Sequence, residues 1–131
     1  MHIPHLGIVV EIFAPIYYFN HFKKGGRMTN LGLMVRLEAK KGKEAEVERF
    51  LKDGLNIVNN ERDTITWYAL KLGPSTYGIF DTFNDTKGRE SHLNGEIAKT
   101  LNKRTNELFA RSPIIEKVDV LAAKLPEMEH H

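Results

Sequence analysis

The sequence predicts an α+β domain with the ferredoxin-like order β-α-β-β-α-β, in which a four-stranded antiparallel sheet carries two helical segments on one face. Two observations predict it. Four segments have the alternation or the β-branched and aromatic content of strands, and two have apolar residues at helical spacing. Their order along the chain is the split βαβ pattern, whose right-handed crossovers place both helices on the same side of the sheet.

The first strand is predicted over residues 30–39 and the first helix over residues 44–58. Gly42 lies in the turn between them. Glutamates near the start of the helix suit its dipole. Apolar residues alternate along the strand at Leu31, Leu33, Val35 and Leu37, and they recur every three or four residues along the helix at Val47, Phe50, Leu51, Leu55 and Val58.

A hairpin follows, with strands predicted over residues 64–72 and 76–83. The segments read TITWYALKL and TYGIFDTF, and the residues between them, Gly73-Pro74-Ser75, are typical of a turn. We therefore expect the second and third strands to pair in antiparallel fashion.

The second helical segment is predicted to begin near Lys87 and to end by about Arg111, before Pro113. The preceding residues Asn84-Asp85-Thr86 can cap it, and Gly95 is expected to break or bend it. The fourth strand is predicted over residues 114–124, which read IIEKVDVLAAK.

Apolar residues occupy both faces of the predicted sheet. The second strand places Trp67 on one face and Tyr68 on the other, and the third and fourth strands are similarly mixed. A sheet with one wet face normally alternates apolar and polar residues, and monomers seldom expose so large an apolar patch. We therefore predict a homodimer in which two sheets meet face to face, enclosing space that suits a ligand.

Composition narrows the possible functions. The chain of 131 residues has no cysteine, which excludes disulfides, thiolate metal sites and cysteine nucleophiles. Its 19 basic and 17 acidic residues give a net charge of +2 without a basic stripe, so we predict no nucleic-acid partner. No run is long and unbroken enough to span a membrane. We expect a cytoplasmic protein without a membrane partner, and the absence of cysteine fits a reducing compartment.

The two ends differ from the predicted domain, which spans residues 28–125. Residues 1–27 are expected to be an N-terminal extension upstream of a natural start at Met28; if they belong to the protein, they are candidates for an extra strand or a dimer arm. Residues 126–131 are expected to be a tail, in which His130-His131 resembles the remnant of a purification tag.

His92 is the only histidine in the sequence of the predicted domain, residues 28–125. It is a candidate general base because imidazole titrates near neutrality. Alternatively, it is a helix-surface histidine that bonds Asp81 or a backbone carbonyl. Asp81 either orients His92 or pairs with Arg36 across the sheet. Four aromatic residues are candidates for a substrate-stacking wall or for packing in the dimer interface, namely Trp67, Tyr68, Tyr77 and Phe83.

Several motifs together resemble the antibiotic biosynthesis monooxygenase family of the dimeric α+β barrel superfamily. They are Lys41-Gly42-Lys43 before the first helix, Trp67, and the segment from Ile79 to Asp85 that leads to Ser91-His92-Leu93. The resemblance covers about residues 30–124. It implies a dimer, no cofactor, and a reaction between O2 and a small aromatic or quinol-like molecule.

The resemblance also implies roles for individual residues. Asp81 stands where the family often has Glu, Phe83 where it often has Trp, and His92 is its helix histidine. Asn30 stands where haem-degrading relatives use Asn, and we include it among the substrate-binding candidates. The segments Arg62-Asp63-Thr64 and Asn94-Gly95-Glu96 depart from the family's usual Glu-x-Gly and Ser-x-His.

Two functional hypotheses follow, with a third behind them. In the first, a cofactor-independent monooxygenase uses His92 as base and Asp81 as its orienter, in a pocket between sheet and helices. In the second, the same dimeric fold is a non-catalytic ligand-binding or stress-response module. The third is haem or flavin handling. The sequence lacks a cluster of His, Asp and Glu at metal-ligand spacing, so we predict no metal site.

Overall fold

The computed structural model describes residues 29–126, which form one four-stranded sheet and three helices. In chain order the elements are β1 (Leu31–Glu38), α1 (Glu44–Val58), β2 (Thr64–Lys71), β3 (Thr76–Phe83), α2 (Thr86–Leu93), α3 (Glu96–Leu108) and β4 (Ile114–Asp119). The predicted α+β, ferredoxin-like fold is confirmed. The expectations for residues 1–27 and for the His130-His131 remnant lie outside the described residues.

All strand pairs are antiparallel, and the strands lie in the order β2-β3-β1-β4. The register sets which side chains share a face, since residues directly opposite each other project to the same side. Leu33 of β1 lies opposite Asp81 of β3, and Asp81 lies opposite Trp67 of β2. These three side chains therefore belong to one face, and Tyr68 belongs to the other.

The hydrophobic core lies between that face and the helices. Leu37 of β1 and Tyr77 and Ile79 of β3 pack in one cluster with Val47 of α1 and Leu108 of α3. The burial of alternate residues along β1 follows from its period of two. The cluster places α1 and α3 on the same face of the sheet, as predicted.

Two element ends differ from the predictions by more than one residue, and each has a backbone cause. The second helical segment is broken at Gly95, as predicted, and Gly95 is the N-cap of α3. However, α3 stops at Leu108 rather than near Arg111. There, Phe109 becomes extended and bridges to Ala39. The fourth strand ends at Asp119 rather than at residue 124, because its partner β1 begins at Leu31, directly opposite Asp119.

The face of the sheet opposite the helices, which we call the open face, is rich in apolar side chains. It carries Met34, Phe80 and Tyr68, which lie opposite one another across three strands, and Tyr68 is 53% exposed. Ile114 of β4, which lies opposite Arg36 of β1, is 49% exposed on the same face. In residues 29–126, we find no helix with the length and apolar character that crossing a membrane requires.

Candidate functional site

Helix α2 positions His92 over the sheet. The helix begins where the side chain of Asp85 accepts a hydrogen bond from the backbone N–H of Gly88 at 2.8 Å, an N-cap that the sequence predicted. Gly88 lets the helix approach the turn before β2, since a Cβ there would lie 3.1 Å from Cβ of Asp63. His92 projects from the last turn and is 8% exposed.

Two carboxylates approach the imidazole of His92 from opposite edges. Nδ1 lies 2.6 Å from Oε1 of Glu61, and Nε2 lies 3.0 Å from Oδ2 of Asp81. The ring also packs against Phe83, with 5.3 Å between the two ring centroids. Glu61 comes from the turn between α1 and β2, and Asp81 comes from the middle of β3. The backbone fold thus assembles this trio from three separate segments.

The two carboxylates favour the protonated form of His92. A neutral imidazole carries one N–H and can donate to one carboxylate, whereas the imidazolium donates to both. Burial lowers the pKa of His92, but the hydrogen bonds and charges of Asp81 and Glu61 outweigh burial and raise it above its ordinary value. Burial raises the pKa of Asp81, against the opposing effect of His92. Asp81 and Glu61 therefore stabilise a proton on the buried imidazole of His92.

A cleft of about 630 Å³ opens beside this trio. It lies between the end of α1, the turn before β2, α2 and the start of α3. His92 is buried, and 21% of the Glu61 side chain is exposed. A molecule in the cleft would therefore meet the Glu61 carboxylate and the His92 edge behind it. The lining includes amide, hydroxyl and charged side chains, among them Asn56, Asn60, Glu61, Thr64, Ser91 and His92.

The structure brings His92, Asp81 and Phe83 together but disperses the other predicted site residues. Trp67 shares the helix-side face with Asp81 and reaches Gly54 of α1, so Trp67 rather than Tyr68 faces the helices. Tyr68 lies on the open face. Tyr77 is buried in the core, where its hydroxyl donates to Oε2 of Glu48 at 2.7 Å. Asn30 precedes β1, and its backbone carbonyl accepts from Val120.

The alternative pairing of Asp81 with Arg36 is wrong. Arg36 lies opposite Gly78, and residues at odd and even positions of β1 project to opposite faces. Asp81 shares its face with Leu33, one of the odd positions, so the sheet separates it from the side chain of Arg36. Asp81 contacts His92 instead.

Two residues near the site were not anticipated as functional. Glu61 lies 31 positions from His92, and its contact with the ring depends on the loop path between α1 and β2. Arg89 is 2% exposed, and its guanidinium lies 3.4 Å from the carbonyl oxygen of Gly32. Arg89 precedes His92 by three residues on the predicted helix. Because helix positions i and i+3 are neighbours, this spacing could have indicated from the sequence that Arg89 lies beside His92.

The trio is not arranged to hold a metal ion. Asp81 and Glu61 lie at opposite edges of the imidazole, so they cannot converge on one cation while His92 stands between them. No group of three or more potential ligands in residues 29–126 meets the requirements of a metal site.

Comparisons with known proteins identify relatives by structure. The NE2512 protein of unknown function from Nitrosomonas europaea is 52% identical, with a TM-score of 0.76 over 79% of this chain and 100% of that chain. A candidate antibiotic biosynthesis monooxygenase from Caulobacter crescentus is 18% identical, with a TM-score of 0.63 over 79% and 99%. Another from Chloroflexus aurantiacus is 11% identical, with a TM-score of 0.57 over 72% and 95%.

No protein-family model and no curated protein matches the sequence. The two candidate monooxygenases share the fold with this chain, which confirms the fold that the resemblance implied. The identity to the Nitrosomonas europaea protein extends over all of that chain. This chain therefore belongs to the same family as NE2512 of Nitrosomonas europaea, and it shares its fold with the two candidate antibiotic biosynthesis monooxygenases.

Proposed function

We propose that the protein is a cofactor-independent monooxygenase that oxidises a small, hydroxylated aromatic or quinol-like molecule with O2. The observation that carries the proposal is the buried His92, held between Asp81 and Glu61 beside a cleft of about 630 Å³. A cleft of this volume is large enough for a small aromatic molecule.

Proton removal is the step that these residues would perform. An electron-rich phenol or quinol reacts more readily with O2 once it has lost its hydroxyl proton. At pH values above its raised pKa, His92 is neutral and would take that proton. The imidazolium formed would be stabilised by the two carboxylates beside it. For an anthrone-like substrate, a ring CH2 becomes a carbonyl, the second oxygen atom of O2 leaves as water, and the substrate supplies all the electrons.

The polar lining of the cleft favours a substrate with several hydroxyl groups over a purely apolar one. Asn56, Asn60 and Ser91 offer hydrogen bonds around the cleft. Phe83 packs against the other side of His92 and holds the ring in place.

We further propose that a second copy of the chain covers the open face, giving a homodimer. Tyr68, Leu72 and Ile114 are each more than 40% exposed, and Phe80 lies among them in the middle strands. Such a patch is large for a soluble monomer. A two-fold pairing of identical sheets would bury it without any other partner.

Oxygen uptake with a panel of quinols and anthrones tests the catalytic proposal. We expect turnover by the wild type and a decrease of about 10²–10⁴-fold in kcat/KM for His92→Gln, the usual contribution of a general base. Lys87→Gln, an exposed change on the same helix, should leave the rate unchanged. Circular dichroism would verify that both variants are folded.

Two outcomes would contradict this proposal. Undiminished turnover in folded His92→Gln would remove the proposed base. Absence of turnover in the wild type across the whole panel, with binding of the same compounds, would favour the non-catalytic ligand-binding module.

A haem titration followed by its absorption band should show no complex, since the proposed reaction uses no cofactor.

A further inference from the structure

We propose that Glu61 is a positioning residue that sets the tautomer and the proton affinity of His92 and connects this buried ring to the cleft. The inference rests on the proposed function, in which His92 exchanges a proton with a molecule bound in the cleft. It assigns a role to a residue of the α1–β2 turn that neither the sequence motifs nor the resemblance singled out.

The first support is the contact itself. Oε1 of Glu61 lies 2.6 Å from Nδ1 of His92 and also accepts a hydrogen bond from the Thr64 hydroxyl at 2.8 Å. One carboxylate oxygen is thus held by two donors, one from α2 and one from the start of β2. Glu61 cannot rotate away from His92 without losing both contacts.

The second support is the fit of the carboxylate in its surroundings. Its other oxygen, Oε2, lies only 3.2 Å from the position that a Cβ at Gly95 would occupy, so the absence of a side chain there gives the carboxylate room. The backbone N–H of Glu61 donates to the carbonyl of Val58 at 2.9 Å, which holds the turn against the end of α1. The position of Glu61 is therefore set from three directions.

The third support is the difference between the two carboxylates that flank His92. Asp81 is 1% exposed and faces the core, so it has no direct route for exchanging a proton with the cleft. Glu61 lines the cleft and is partly exposed. Only the Glu61 side of the ring therefore connects the buried pair of Asp81 and His92 to a molecule in the cleft.

The consequence for His92 is that both its proton affinity and the tautomer of its neutral form depend on Glu61. With both carboxylates ionised, a neutral ring must turn one unprotonated nitrogen toward a negative charge, which favours proton uptake. In Glu61→Gln, the amide can donate to Nδ1, so the neutral ring would keep its proton on Nε2 and point it at Asp81. Other charged groups around Glu61 are Arg62 and Asp63 of the same turn and Glu96 of α3.

The test is a pH titration of the ¹⁵N-labelled His92 ring by NMR in the full chain, with the signal assigned by its loss in His92→Gln. We expect Glu61→Gln to lower the titration midpoint by about one to three pH units, the size of effect that one close opposite charge exerts. In Glu61→Gln, the neutral form of His92 should carry its proton on Nε2. The matched control is Asp63→Asn, a carboxylate of the same cleft that does not touch His92.

If Glu61→Gln leaves the midpoint and the tautomer unchanged, or if Asp63→Asn shifts the midpoint equally, the proposal is overturned. Thr64→Val is a second variant that preserves every charge. It removes the hydroxyl that holds Glu61 and lies 3.5 Å from Nδ1 of His92, so it should also lower the midpoint, but by less than Glu61→Gln. The NMR result does not depend on turnover, so it stands apart from the oxygen-uptake assay. Where turnover is found, the acid limb of the kcat/KM profile should move with the midpoint while KM changes little.

Discussion

Replacing His92 with alanine is expected to lower the free energy of unfolding at pH 7 by about 3–5 kcal/mol, the range found when one partner of a buried ion pair is removed. His92 is 8% exposed and Asp81 is 1% exposed, so the substitution leaves a carboxylate inside the protein without its positive partner. The loss of ring packing against Phe83 adds to the effect. Urea denaturation followed by circular dichroism would measure it.

Two controls separate the charge effect from the cavity effect. In the double variant His92→Ala/Asp81→Asn the uncompensated charge is gone, so part of the lost stability should return. The loss in His92→Ala should also be smaller at pH 4 than at pH 7, because Asp81 can then bind a proton. A loss below about 1 kcal/mol at pH 7, in the range of ordinary surface changes, would mean that the pair is not buried as described.

The substitution Phe80→Glu is expected to convert the proposed homodimer into a monomer at micromolar concentration. Phe80 lies at the centre of the open face, directly opposite Met34 on one side and Tyr68 on the other. A carboxylate buried there would lack a partner and would pay a desolvation cost of about 3 kcal/mol or more in each copy. Summed over the two copies, that cost corresponds to a dissociation constant about 10⁴-fold higher.

Sedimentation velocity of the wild type and the variant would test this prediction. Leu55→Glu is the matched control, since Leu55 is 46% exposed on α1, in the helical layer on the other side of the sheet. It should leave the dimer intact. A monomeric wild type, or a Phe80→Glu variant that remains dimeric, would contradict face-to-face pairing of the sheets.

Most of the fold followed from local periodicity. Helix α1 occupies residues 44–58 and strand β3 occupies residues 76–83, both as predicted, because their apolar spacing and turn residues are unambiguous. The ends of α3 and β4 were missed, since they depend on tertiary pairing. Phe109 leaves the helix to bridge Ala39, and β4 lasts only as long as β1 runs beside it.

The candidate site was only partly predictable. The sequence named both Asp81 and His92 and left their pairing as one of two alternatives, which strand parity and the position of α2 resolve. It did not reveal Glu61, because a turn residue has no periodicity and its contact with His92 depends on the path of the chain in three dimensions. The aromatic residues were known to alternate, but parity alone did not tell which face Trp67 and Tyr68 each take.

The central claim is that Asp81 and Glu61 together hold a proton on the buried His92 ring. The protonation state of His92 in the wild type tests this claim most directly. Since Asp81 and Glu61 raise its pKa above the ordinary value of 6.5, the ring should be charged below that pH and lose its proton only as the pH rises beyond it. We therefore expect ¹⁵N NMR to show that both ring nitrogens are mainly protonated at pH 6.5, with a midpoint at higher pH. A ring that is already neutral at pH 6.5 would contradict it.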